Sequence, residues 1–353
     1  MIALLACAAE VAEPGALRLR WLQGYPGESW RTAEAGLWWA LSDLGAVPDA
    51  TALGVRHAQP DRVVFDLDLA RIGLDGPVID EVEQELRGSD EMREHGAVDL
   101  GRFLLRTLYE PWRYYAITGA CREQPSPADP EEYAVTTSLL LDGDRLVTYQ
   151  ADPTSVGGVL FVAGEGEGSI ASGDFLATEH ETVSVMPNGQ FRYAVYDAEG
   201  ALSPAASVGP AGQPGKCRWC HEYHLQPGTS ANLSAEGYVD YARFIEQIGI
   251  ATEQVDEARA RVPLVAWPGD VVHDQAEWLV EAFMWPDAAR VALEHGELDL
   301  GGLVPQDLDE YGWVSRYRRA EIDARAPFAV VPVVDDTREG GGDYVDAELP
   351  GCE

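Results

Sequence analysis

Two different spacings of apolar residues alternate along this chain, and the changes between them mark its parts. Residues 17–22 read Leu-Arg-Leu-Arg-Trp-Leu, the two-residue alternation of a strand with one buried face. Residues 62–69 repeat the pattern as Arg-Val-Val-Phe-Asp-Leu-Asp-Leu, which puts Asp66 and Asp68 together on a solvent face. Between these runs the spacing becomes helical: from Thr32 to about Leu44, residues Leu37, Trp38, Leu41 and Leu44 fall on one side. Helices are predicted next over 77–87 and 97–110, the second carrying Phe103, Leu104 and Leu108, with Trp112 just beyond. Three prolines between Gln124 and Pro130 predict a loop or boundary.

From Tyr133 to about Tyr196 the period is again two. An Asp142-Gly143 turn separates residues 134–141 from 145–149, and Pro187-Asn188-Gly189 separates 183–186 from 191–196. Asn-Gly between alternating runs is a strong hairpin signal. Residues 209–215, Gly-Pro-Ala-Gly-Gln-Pro-Gly, read as a linker. Helical spacing returns over about 234–247, 251–261, 274–284 and 286–295, and the end of the chain is acidic and Gly-rich. The expected fold class is α+β: a segment at 1–15, an α+β region at 16–125, a β-rich middle at 126–212, a mainly helical region at 213–330 and an acidic tail at 331–353.

A short echo links the two helical parts. Glu94-His95-Gly96 followed by Asp99-Leu100-Gly101 recurs as Glu294-His295-Gly296 followed by Asp299-Leu300-Gly301. The reading preferred here is a helix closed by a Gly C-cap, with Asp starting the next helix. A paired-His site or duplicated modules is the other reading.

The chemistry concentrates just after the linker, in Lys216-Cys217-Arg218-Trp219-Cys220-His221-Glu222. Cys-x-x-Cys-His lets two thiols reach the two vinyl groups on one porphyrin edge, and the next imidazole can then ligate the iron. With 5 cysteines and 7 histidines in 353 residues, chance supplies roughly a thousandth of such a motif. Two alternatives stay open. Cys217, Cys220 and His221 or His224 could contribute to a zinc site that takes its fourth ligand elsewhere. Cys-x-x-Cys could also be a redox dithiol, although Arg-Trp in the middle and the lack of a surrounding βαβ pattern disfavour it.

The motif resembles the attachment site of c-type cytochromes, specifically exported bacterial proteins that join a β domain to one haem-binding motif. The match covers five residues. It implies one covalent haem c, thioethers at Cys217 and Cys220, and His221 as proximal ligand, with the C-terminal helical region as the haem-binding part. Met284, near the end of a predicted helix, stands where His/Met cytochromes have their second axial ligand; a core methionine is the competing reading. His224 lies too close to His221 on one helix to reach the distal side. His273 and Met186 are weaker candidates, and an open sixth position is a further alternative.

Charge and termini then narrow the setting. The net charge of -35 argues against nucleic acid as a partner, because phosphate binding needs a basic face. It fits a solvated acidic surface, or steering toward a basic redox partner. No run of about 18 apolar residues is present. Leu4-Leu5-Ala6-Cys7 resembles a bacterial lipobox, which would lipidate Cys7, although a basic n-region and a full apolar stretch are missing. The expected contact with a membrane is through that anchor alone, in the periplasm or at the outer membrane. Cys121 and Cys352 remain, either as a disulfide in an oxidising compartment or as separate thiols. Gly-x-Ser-x-Gly, P-loop and His-Glu-x-x-His patterns are absent. The Gly-rich acidic run from Gly164 reads as a loop, with cation binding a remote reading.

The functional expectation is an exported, lipid-anchored monohaem c-type cytochrome that carries electrons to or from a partner protein. The alternatives are a haem enzyme or gas sensor with an open iron, and a non-haem, zinc-binding surface lipoprotein.

Overall fold

A computed structural model describes residues 15–22, 29–47, 49–108, 110–126, 131–135, 144–151, 159–204 and 241–260. The observed class is α+β. Among the described residues, ten strands form two sheets and six α-helices accompany them. The first sheet has the order β2-β3-β1-β4, built from β1 (Leu17–Leu22), β2 (Leu53–Gln59), β3 (Arg62–Leu67) and β4 (Val98–Asp99). Helix α1 (Trp30–Asp43) lies between β1 and β2 in sequence. After β3 come α2 (Pro77–Gly88), α3 (Asp90–His95), α4 (Leu100–Thr107) and α5 (Pro111–Thr118).

The alternation expected in β1 is observed. Leu17, Leu19 and Trp21 are buried, and the intervening arginines reach carboxylates on the other face. Arg18 Nε donates to Asp66 Oδ1 at 2.9 Å, and Arg56 pairs with the other oxygen of Asp66. Asp66 is therefore buried rather than solvent-facing, and Asp68 lies beyond the end of β3. Register explains the difference. Arg18 stands directly opposite Asp66, so two guanidiniums compensate a carboxylate that sheet pairing withdraws from water.

The helix expected over 97–110 is a short strand followed by the shorter helix α4, and a separate helix, α5, begins just beyond that range. Val98 and Asp99 pair in parallel with Leu19 and Arg20. Asp99 then caps α4, accepting from the Gly101 amide at 2.9 Å, and Pro111 at the first turn of α5 starts a new helix. The first copy of the echo behaves as a cap pair. Gly96 closes α3 in the left-handed region at φ 67°, and Asp99 opens α4. The second copy, at 294–301, lies outside the described residues.

The second sheet has the order β10-β9-β8-β7-β6-β5 and is antiparallel throughout. Its strands are β5 (Glu131–Val135), β6 (Arg145–Ala151), β7 (Val159–Glu167), β8 (Leu176–Val185), β9 (Phe191–Asp197) and β10 (Leu202–Ser203). The Asn-Gly hairpin joins β8 to β9 as expected. Gly164–Glu167, expected as a loop, is instead the end of β7. A bulge falls between Glu165 and Gly166, where a Cβ on Gly166 would stand 1.8 Å from the Leu176 carbonyl oxygen. The glycines thus serve backbone approach within the sheet.

The two sheets share one core. Leu17, Phe65, Leu104 and Tyr114 belong to the same apolar cluster as Tyr149, Phe161 and Tyr193. Asn188 at the hairpin tip donates to the carbonyls of Ser42 (2.6 Å) and Ala46 (2.9 Å), tying the second sheet to the end of α1. Two tyrosines of α5 guard the outer edge of β9. The amide of Tyr193 donates to the Tyr114 hydroxyl at 3.0 Å, and that of Val195 to the Tyr115 hydroxyl at 3.2 Å. Only the two-residue β10 pairs with that edge, so these hydroxyls satisfy donors a longer strand would have taken.

Helix α6 (Tyr241–Ala260) is continuous where two helices were expected over 234–247 and 251–261. A lone mid-helix glycine costs about 1 kcal/mol, and burial of Ile248, Ala251 and Val255 at helical spacing offsets Gly249. These three residues join the shared core, and the helix lies against β7.

Candidate functional site

The sequence motif and the described residues meet at two anchors. Cys217, Cys220 and His221 lie outside the described residues, as do His224, His273, Met284 and Cys7. The chain on the N-terminal side of the motif ends in β10, which pairs with β9 through Leu202–Tyr196 and Ser203–Val195. On the C-terminal side it resumes as α6, seated on the shared core. The span carrying the motif is therefore held at both ends by the α+β body.

The start of that span is reinforced. The Leu202 amide donates to the Arg122 carbonyl at 3.1 Å, and the Gln124 amide to the Gly200 carbonyl at 2.8 Å. Tyr196 donates its hydroxyl proton to the carbonyl of Cys121 at 3.0 Å. Arg192 Nη1 binds the carbonyls of Thr118 (3.3 Å) and Gly119 (2.7 Å), satisfying the C-terminal end of α5. Cys121 is buried here and disulfide-bonded. Its partner lies outside the described residues, because the other four cysteines all do.

Met186, a weak candidate for an iron ligand, is buried at the β8–β9 hairpin. Its sulfur lies 3.7 Å from where a Cβ on Gly45 would stand. It is a packing residue between the hairpin and the end of α1.

Within the described residues, charged side chains form a row across the second sheet. Arg145, Glu165, Glu179 and Asp197 are successive cross-strand neighbours on β6, β7, β8 and β9. Glu181 lies two residues from Glu179 on the same face. Like charges directly opposite each other are destabilising, and Glu165 and Glu179 are both 4% exposed. Arg145 forms an ion pair with Glu165. Burial, then the charge of Glu181, still pushes the Glu165 carboxyl up to about 8, against the pull of the Arg145 guanidinium. His180 falls on the opposite face of β8, where burial lowers its pKa. Among the described residues, no three His, Cys, Asp or Glu side chains are arranged to hold a metal ion.

A second buried carboxylate lies in the first sheet. Asp99 is pushed up to about 7, first by burial and then by the charge of Glu91. Glu91 receives Arg20 Nη2 at 2.6 Å, the Asp99 amide at 2.9 Å and Arg102 Nε at 2.8 Å. This network joins β1, α3 and α4, and Asp99 serves it as a helix cap. Sequence patterning missed these buried carboxylates, as it missed Asp66, because alternation alone assigns a charged residue to solvent.

Among the described residues, no helix is long and apolar enough to cross a membrane. No protein-family model, curated protein or solved structure matches the chain.

Proposed function

We propose that the protein is an exported monohaem c-type cytochrome that transfers electrons, with its haem carried by the C-terminal region from about residue 213 to 330. The observation that carries this reading is Cys217-Arg218-Trp219-Cys220-His221. The donor set suits the group: two thiols for the porphyrin edge and an adjacent imidazole for the iron. Such a haem supplies reversible one-electron chemistry when bound.

Two further observations agree with this reading. A disulfide at Cys121 belongs in an oxidising compartment, where covalent haem attachment also fits export. The motif lies in sequence between β10 and α6, and both of these belong to the α+β body. In this reading Cys217 and Cys220 hold the haem, His221 ligates the iron and Met284 is the first residue to test as the sixth ligand. Cys7 carries the lipid anchor, which places the protein in the periplasm or at the outer membrane. The charge of -35 steers it toward a basic redox partner.

The test is the reduced pyridine haemochrome spectrum of the chain, exported in a host with cytochrome c maturation and extracted with acid-acetone. A retained c-type band, lost in the Cys217→Ala/Cys220→Ala double variant, is the expected result. A colourless protein with one equivalent of zinc would replace this reading with a zinc-binding lipoprotein. A covalent haem that binds carbon monoxide without displacing a protein ligand would point to an open-iron enzyme or gas sensor.

A further inference from the structure

We infer that Cys121 is joined to Cys352, so that the whole C-terminal region is a covalently closed loop whose two ends meet at one place on the α+β body. The inference rests on the proposed function for two of its steps, the haem assignment of Cys217 and Cys220 and the lipid assignment of Cys7.

The disulfide at Cys121 has four possible partners: Cys7, Cys217, Cys220 and Cys352. Thioether formation consumes the thiols of Cys217 and Cys220, and a thioether sulfur cannot also form a disulfide. Lipidation would consume the thiol of Cys7 in the same way. Cys352 is the cysteine left with a free thiol.

The surroundings of Cys121 suit an anchor. It follows α5 directly and is 7% exposed. Its carbonyl is fixed by the Tyr196 hydroxyl, and the next residue's carbonyl by the Leu202 amide. Glu123 and Ala201 add a bridge between the same two segments. Leu202 is also in the last described strand before the haem motif. The C-terminal region therefore leaves the body beside Cys121, and a bond to Cys352 would return its far end to that point. Helix α6, packed on the shared core, gives the loop a third attachment. Domains whose ends lie close together can be held this way without constraint on their interior.

Bond formation is by thiol–disulfide exchange. The thiols of Cys121 and Cys352 give up two electrons and two protons in total as the S–S bond between them forms and the oxidant's own S–S bond breaks. A disulfide-carrying oxidant of the exported compartment accepts the electrons and is reduced to a dithiol. The bond then resists the loss of the tail that a nick anywhere in the loop would otherwise cause.

Peptide mapping of the full exported chain without reductant tests this. Trypsin puts each cysteine on its own fragment: residues 1–18 (shortened to 7–18 where the lipoprotein signal has been removed), 114–122, 217–218, 219–243 and 339–353. The expected result is fragment 114–122 linked to 339–353 and separated from it by reductant, with haem joining 217–218 to 219–243. A link from 114–122 to 217–218 or 219–243 would overturn both the closed loop and the haem reading. A link to 1–18 would overturn the closed loop and the lipid anchor but leave the haem reading standing. A free Cys121 thiol would overturn the closed loop alone. Linked 114–122 and 339–353 with haem-free 217–243 would sustain the loop while the haem reading fails. In the Cys352→Ser variant, Cys121 is expected to react with a thiol reagent after denaturation and the haem content to stay unchanged.

Discussion

Glu165 and Asp99 set how this protein responds to pH. Both carboxyls titrate higher in the folded chain than in the unfolded one, at about 8 and about 7. Below the unfolded values, near 4, both states hold these protons and the groups carry no penalty. As pH rises the unfolded chain ionises first, so stability falls until the folded values are passed. The melting temperature should therefore drop between about pH 5 and pH 8, and Glu165→Gln should flatten the upper part of that fall and melt higher than the parent at pH 8. A parent Tm that climbs steadily to pH 8 would contradict the assignment. Asn188 acts in the opposite sense, as a satisfied polar group. Its amide serves two carbonyls of the α1 end, and Asn188→Ala should cost about 2–4 kcal/mol in a denaturant titration, because two buried acceptors lose their donor.

At the scale of elements, strong periodicity was legible. The strands at 17–22 and 62–67, the helices at 30–43 and 77–88 and the Asn-Gly hairpin follow from spacing and turn chemistry alone. Three features were not legible, each because a tertiary contact overrides a local signal. Val98 and Asp99 form a strand only because β1 offers an edge. Asp66 is buried because Arg18 and Arg56 converge on it from neighbouring strands. Helix α6 runs through Gly249 because its apolar face has a core to meet. Of the candidate site, the sequence shows five adjacent residues that lie outside the described ones, and the packing of its flanks, β10 and α6, on the body was not legible. That anchoring gives a prediction: Val255→Asp should release α6, opening new protease cuts within 241–260 while the two sheets stay folded. Burying an unpaired carboxylate there would otherwise cost several kcal/mol. Unchanged proteolysis would show that α6 is held by something other than its apolar face.

Over the whole molecule, net charge is the dominant long-range feature. At -35 the folded chain repels itself, and added salt screens that repulsion with a Debye length of about 10 Å at 0.1 M. The Tm should rise between 20 and 500 mM sodium chloride, and association with the basic redox partner proposed above should slow over the same range. A Tm insensitive to salt would mean the surface charge is already neutralised by bound cations. The body provides one shared core for two sheets and α6, and the motif-bearing span is attached to it at both ends. The intact mass of the exported full chain, taken under denaturing conditions after reduction, tests the central claim most directly. The account predicts a polypeptide heavier by one haem, with that mass lost in Cys217→Ala/Cys220→Ala. A bare polypeptide mass from a host that matures other c-type cytochromes in the same preparation would contradict it.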